Sequence, residues 1–267
     1  MPLFWTEAGT GTPLVLLHGF PFDQSVWQFQ QTELSWKFRV ITPDLRGHGR
    51  SPGFTGPTSI DRLADDVIAF LDQAQIQEPV ILGGLSMGGY IALSLAARYP
   101  ERLAALLLID TRAGADSAEA AQNRLNLATR IDAEQSSQPV VEGFLPRLFA
   151  PATYVEQPDI VDKVRMLMQN TSPLTLSTCL RAMADRPDRT ADLARISVPT
   201  LVIVGEEDPI SPPQEAQEIA RSIPRGEVKV IPRAGHLACL ENPEAVNAAI
   251  HMFLDSHLPP QSRKKSV

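Results

Sequence analysis

The segment Gly84-Leu85-Ser86-Met87-Gly88-Gly89 constrains this chain more than any other. It follows residues 79–83, an apolar run that reads as a buried strand, and it opens residues 87–98, which read as a helix apolar on most sides. A strand that turns straight into a helix puts its turn residue at a strained backbone angle. Side chains on the flanking positions would clash there, hence glycine before and after. The helix then aims its free N–H groups at the turn, a favourable place for developing negative charge. A G-x-G-x-x-G dinucleotide turn is excluded, because Leu85 holds the second glycine position. The pattern G-x-S-x-G between strand and helix therefore marks Ser86 as a candidate nucleophile.

The rest of the chain supplies a matching frame. Residues 13–19 and 38–42 read as strands, ended by Gly19 and Pro43. Thr58-Ser59-Ile60-Asp61 is a capping-box-like start. After it Ile60, Leu63, Ala64, Val67, Ile68 and Leu71 form one helical apolar stripe. Residues 103–109 are a further strand, closed by Asp110. From about 111 to 192 the pattern changes to amphipathic stretches broken by prolines, such as 118–131 and 160–169, with no strand. Strand and helix then alternate again at 200–204, 213–222, 228–231 and 243–256. Such alternation requires parallel pairing with helices on both faces, so the expected fold class is α/β, a doubly wound and mostly parallel sheet. An all-helical insertion cannot extend that sheet and belongs over one end of it.

A serine hydroxyl needs a base, and the base needs an acid to orient it. Of the five histidines, His236 in Gly235-His236 follows the strand at 228–231, which puts it at the carboxyl edge shared with Ser86. His251 and His257 fall on the last helix, and His18 and His48 belong to glycine turns. Asp208 follows the strand at 200–204 and is the preferred acid by chain order, with Asp110 at the end of 103–109 as its rival. The expected oxyanion donors are the backbone N–H groups of Met87, next to the nucleophile, and of Phe20 in His18-Gly19-Phe20.

Composition excludes other classes. With 43% apolar and 21% charged residues in 267, the chain is globular and long enough to need no disulfide or metal for its core. A net charge of −7 argues against nucleic acid, and the basic cluster Arg263-Lys264-Lys265 reads as a solvated tail. The two cysteines, Cys179 and Cys239, have no ligand spacing. Met1-Pro2-Leu3-Phe4-Trp5 has no export signature, and no apolar run is long enough to span a bilayer. A soluble cytoplasmic protein is expected. No pattern specifies an oligomeric state.

Together, His18-Gly19-Phe20, the run from Pro43 through Asp44, Arg46, Gly47, His48, Gly49 and Arg50 to Ser51, the Ser86 turn, Gly205 with Asp208, and Gly235-His236 resemble the α/β-hydrolase superfamily over nearly the whole chain. The likeness is greatest to its compact bacterial branch of 3-oxoadipate enol-lactonases, small carboxylesterases and cofactor-free perhydrolases. The resemblance implies a core of residues 1–111 and 192–267, with a helical cap at 112–191 and a pocket between them. It implies a serine hydrolase that cleaves a small-molecule carboxylic ester or lactone through an acyl-enzyme on Ser86, with no cofactor or metal. Members with the same triad also perform perhydrolysis, acyl transfer or carbon–carbon bond hydrolysis, and some act as small-molecule receptors. Relatives that form their ester on an aspartate, the haloalkane dehalogenases and epoxide hydrolases, are excluded by Ser86. Arg112 is a candidate reader of a substrate carboxylate, with a surface ion pair as the alternative. Phe22 and Trp27 are candidate pocket walls, with core packing as the alternative.

Overall fold

A computed structural model describes residues 2–258. Met1 and the expected tail from Pro259, including Arg263-Lys264-Lys265, lie outside these residues. The chain builds a seven-stranded sheet from β1 (Trp5–Ala8), β2 (Pro13–Leu17), β3 (Arg39–Pro43), β4 (Val80–Leu85), β5 (Leu103–Ile109), β6 (Thr200–Gly205) and β7 (Gly226–Ile231), in the spatial order β1-β3-β2-β4-β5-β6-β7. Every pairing is parallel except β1 with β3. The fold class is the one expected from the sequence. β2, β4 and β6 are buried along their whole length, which is why they read as continuous apolar runs instead of alternating ones. β1 was not anticipated, because four partly exposed residues carry no periodicity.

The helices are α1 (Gln28–Leu34), α2 (Ile60–Gln73), α3 (Met87–Arg98), α4 (Ala118–Glu134), α5 (Gln138–Phe144), α6 (Thr153–Glu156), α7 (Pro158–Asn170), α8 (Pro173–Ala184), α9 (Pro213–Ser222), α10 (Ala238–Glu241) and α11 (Pro243–His257). Right-handed crossovers decide which face each one covers. The chain steps one way along the sheet from β2 to β3 and the other way from β3 to β4 and on to β7. α1 therefore lies on one face, and α2, α3 and α9 on the other; α11 packs beside α1.

α2 shows how the sequence produces these contacts. Ser59 caps it by accepting the Arg62 amide at 3.1 Å, and Ile60, Leu63, Ala64, Val67 and Leu71 are buried. Ile68 is only half-buried, and Phe70 completes the stripe instead. Each large side chain buried in this way contributes roughly 1.5–3 kcal/mol.

α4 to α8 intervene between β5 and β6 and add no strand. They dock on loops that follow β2, β3 and β7. Thr171 Oγ1 donates to Pro21 O at 2.7 Å, Thr175 Oγ1 to Gly47 O at 2.9 Å, and Leu148 O accepts the His236 amide at 2.9 Å. The Phe144 and Phe20 rings meet edge to face, 5.7 Å apart. The inserted helices thus sit on the carboxyl edge of the sheet. Among the described residues no helix is long and apolar enough to cross a membrane.

Candidate active site

Ser86 leaves the end of β4, the middle strand of the seven. Its backbone has φ 51°, ψ −111°, a conformation that ordinary side chains rarely adopt. The Ser86 amide donates to Ile109 O at 2.9 Å, and the Ser86 carbonyl accepts the Thr111 hydroxyl at 2.7 Å, so β5 holds the turn from its side. The flanking glycines are required by contact. A β-carbon on Gly84 would lie 2.2 Å from Gly88 O, and one on Gly88 would lie 2.4 Å from Leu17 O. Between residues 80 and 96 every residue is buried except Ser86. The turn therefore presents one side chain, and it is the hydroxyl.

That hydroxyl has a partner from the other half of the sheet. His236 Nε2 stands 2.9 Å from Ser86 Oγ, and His236 Nδ1 stands 2.8 Å from Asp208 Oδ2. The network assigns the Nδ1 proton to the Asp208 side, which leaves Nε2 free to accept from the serine. His236 and Asp208 are almost wholly enclosed. Burial pushes the Asp208 carboxyl up. Attraction to His236 and hydrogen bonds from His236 and Ser211 outweigh that, and the net displacement is downward, so Asp208 is a carboxylate at neutral pH. Its other oxygen accepts the amides of Ile210 at 2.7 Å and Ser211 at 3.0 Å.

The rival acid is engaged elsewhere. Asp110 accepts the Gly205 amide on one oxygen at 2.9 Å and the Ala238 amide on the other at 3.1 Å. Burial and repulsion from Asp208 raise its carboxyl well above the usual range. It ties together the two loops that carry Asp208 and His236.

The remaining expected residues fall into two groups. Gly19 lies against the turn, where a β-carbon would be 3.3 Å from Ser86 Cβ, so the backbone leading into Phe20 passes beside the hydroxyl. Met87 supplies the first amide of α3, one of the donors that a helix start leaves without an internal acceptor. Phe22 and Trp27 are fully buried in the hydrophobic core, the core-packing alternative to their reading as pocket walls. Arg112 is engaged in an ion pair. Its guanidinium forks onto the Glu215 carboxylate of α9, Nε to Oε2 at 2.5 Å and Nη2 to Oε1, which is the ion pair given as the alternative reading.

Two residues that the sequence did not single out join the cluster. The Ser211 hydroxyl donates to Asp208 Oδ2 at 2.7 Å and lies 3.2 Å from His236 Nδ1. Glu241 receives amides on both sides of His236, from Gly235 at 2.8 Å and Leu237 at 3.4 Å. Asp208-Pro209-Ile210-Ser211 is a side-chain-capped turn whose signal was available. Glu241 had none. Among the described residues no three acidic, histidine or cysteine side chains converge as metal ligands.

A doubly wound sheet with a hydroxyl–imidazole–carboxylate chain on its carboxyl edge, beside the switch in strand order between β2 and β4, is the frame of an α/β enzyme site. Residues 14–249 match the model of the alpha/beta hydrolase family, and the chain belongs to that family. It is 34% identical over 241 residues to 3-oxoadipate enol-lactonase 2 of Acinetobacter baylyi, covering 90% of this chain and 88% of that one. Among solved structures it resembles a thermophilic esterase from Thermogutta terrifontis, determined with malate bound. That likeness has a TM-score of 0.92 at 42% identity, over 96% of this chain and 94% of the other. The enol-lactonase of Burkholderia xenovorans LB400 superposes with a TM-score of 0.86 at 28% identity, over 95% and 96% of the two chains.

Proposed function

We propose that this protein is a serine hydrolase that cleaves a small carboxylic ester or lactone, with Ser86 as nucleophile, His236 as general base and acid, and Asp208 as the carboxylate that orients the imidazole and stabilises its protonated form. The observation that carries the reading is the unbroken chain from Ser86 Oγ, on the one partly accessible residue of the otherwise buried segment 80–96, to His236 at 2.9 Å and on to Asp208 at 2.8 Å. The resemblance to an esterase and to enol-lactonases supports the substrate class. In this reading residues 112–191 are a helical cap over a core of 1–111 and 192–267.

In the proposed reaction Ser86 Oγ attacks the acyl carbon while its proton passes to His236 Nε2. The backbone amides of Met87 and Phe20 hold the oxyanion of the tetrahedral intermediate. The imidazolium, stabilised by Asp208, then protonates the leaving alkoxide, and an acyl-enzyme remains. Water repeats the sequence with His236 as base, and the acid product leaves. For a lactone the leaving alkoxide is part of the acyl group, so one product carries both ends.

The test is hydrolysis of p-nitrophenyl acetate, butyrate and octanoate, and of a simple enol-lactone, by the wild type and by Ser86→Ala. Turnover that the variant loses is the expected result, and the chain-length trend measures the acyl site. A folded wild type that neither turns over any of these nor reacts with a fluorophosphonate would overturn the proposal.

A further inference from the structure

Four consecutive backbone amides around His236 are each taken by a defined acceptor. Gly235 and Leu237 donate to Glu241 Oε1, His236 to Leu148 O, and Ala238 to Asp110 Oδ2. Two of these acceptors lead into the inserted helices. Leu148 belongs to the insertion itself. The second oxygen of Glu241, Oε2, accepts the Ala150 amide at 2.8 Å and the Thr153 hydroxyl at 2.6 Å, at the start of α6. Gln157 adds a bond to the Glu241 carbonyl at 3.2 Å. The two segments lie back to back, because a β-carbon on Gly235 would stand 2.6 Å from Ala150 N.

Glu241 is 5% exposed and pairs with no cation among the described residues. Burial raises its carboxyl. The Thr153 hydroxyl and the amides of Ala150, Gly235 and Leu237 oppose that rise. A buried carboxylate without a counter-ion is a costly way to join two loops, and an apolar contact would hold them more cheaply. What a carboxylate provides is two acceptor oxygens fixed in one plane, each able to receive two donors. Here one oxygen faces the histidine loop and the other faces the insertion.

We infer that Glu241 is a positioning residue that sets the register of the insertion segment 145–157 against the loop carrying His236, so that the chemical step at Ser86 depends on how the insertion is seated. The inference rests on the assignment of Ser86 and His236 made above. Glu241 touches neither reacting group. It acts through the backbone amides next to His236, where a small displacement lengthens the 2.9 Å contact with Ser86.

Two variants separate this role from that of a mere staple. Glu241→Gln keeps the shape but turns one acceptor into an NH2 group facing donors. Thr153→Val removes one of the two bonds that the insertion makes to Oε2, leaving the Ala150 amide, and does not touch the donors of the His236 loop. For each, and for the double variant, kcat and KM on a p-nitrophenyl ester are measured, with the rate of Ser86 labelling by a fluorophosphonate and the melting temperature. We expect kcat to fall about ten- to a hundred-fold in Glu241→Gln with little change in KM. Thr153→Val should lower it by about three- to ten-fold, and the double variant by less than the product, because both cut one joint. Labelling should slow in parallel.

Wild-type kcat and labelling rate in both folded variants, whatever their melting temperatures, would overturn the inference. If Glu241→Gln fails to fold, Thr153→Val decides alone, and an unchanged kcat refutes the coupling. Loss of the esterase reading is distinguishable: the wild type would then show no turnover dependent on Ser86, while the labelling rates would still report on the joint. A wild type that is neither active nor labelled sinks both.

Discussion

The Ser211 hydroxyl donates to Asp208 Oδ2 at 2.7 Å, on the same oxygen that receives His236 Nδ1. Ser211 is 1% exposed, so the bond is shielded from bulk solvent. In Ser211→Ala the carboxylate loses a donor that stabilises its charge and helps to fix its oxygen against His236 Nδ1. On an ester substrate kcat should fall by about two- to ten-fold, with the melting temperature read on the same preparation. An unchanged kcat would show that Ser211 only fills space.

Ser86 is held at φ 51° with a side chain attached, a conformation that costs of order 1–3 kcal/mol. Ser86→Gly should therefore be inactive yet melt higher than Ser86→Ala, which keeps the β-carbon and the strain. After the entropic cost of glycine the gain should be about 1 kcal/mol. Thermal or urea unfolding of the two variants checks it, and equal stabilities would mean that the turn is unstrained.

Asp208 and Asp110 give opposite expectations. Asp208→Asn presents an amide to His236 Nδ1, favours the wrong tautomer, and should lower kcat by about 10^4-fold with the fold intact. Asp110→Asn loses one of its two amide acceptors, from Gly205 or Ala238, and should cost about 1–3 kcal/mol of stability with a far smaller loss of activity. Kinetics and denaturation on the same preparations decide between them. The reverse ranking would make Asp110 the working acid.

His48 predicts acid sensitivity. It is buried against His18, with ring centroids 4.9 Å apart, and burial together with that neighbour pushes it down to about 3 from 6.5. The folded state then stays unprotonated while the unfolded chain takes up a proton as pH falls below 6.5, so stability is lost on acidification down to about 3. By this linkage His48 alone costs about 2 kcal/mol at pH 5 relative to pH 8. His48→Asn keeps a donor for Arg46 O and cannot titrate; its urea midpoint should fall less between those pH values than that of the wild type.

Much of the architecture was legible because it is written in local terms. The bounds of α3 and β5 and the stripe of α2 follow from runs and spacings within a few residues. The turn at Ser86 follows from glycines whose β-carbons would strike backbone 2.2 and 2.4 Å away. Where the local signal is thin, the sequence does not specify the element. α1 buries only Gln30 and Leu34 among its seven residues, and β1 earns its place only by pairing with β3.

By itself the sequence determined the doubly wound frame, the strand ends on which Ser86, Asp208 and His236 stand, and the helical character of the insertion, since periodicity and turn chemistry are properties of neighbouring residues. Tertiary structure alone decided which aspartate faces His236, that Glu215 claims Arg112 from 103 residues away, that Phe22 and Trp27 belong to the core, and that Glu241 joins the insertion to the histidine loop. Those are choices among partners far apart in the chain, set by distances of a few tenths of an ångström that no pattern of residues encodes.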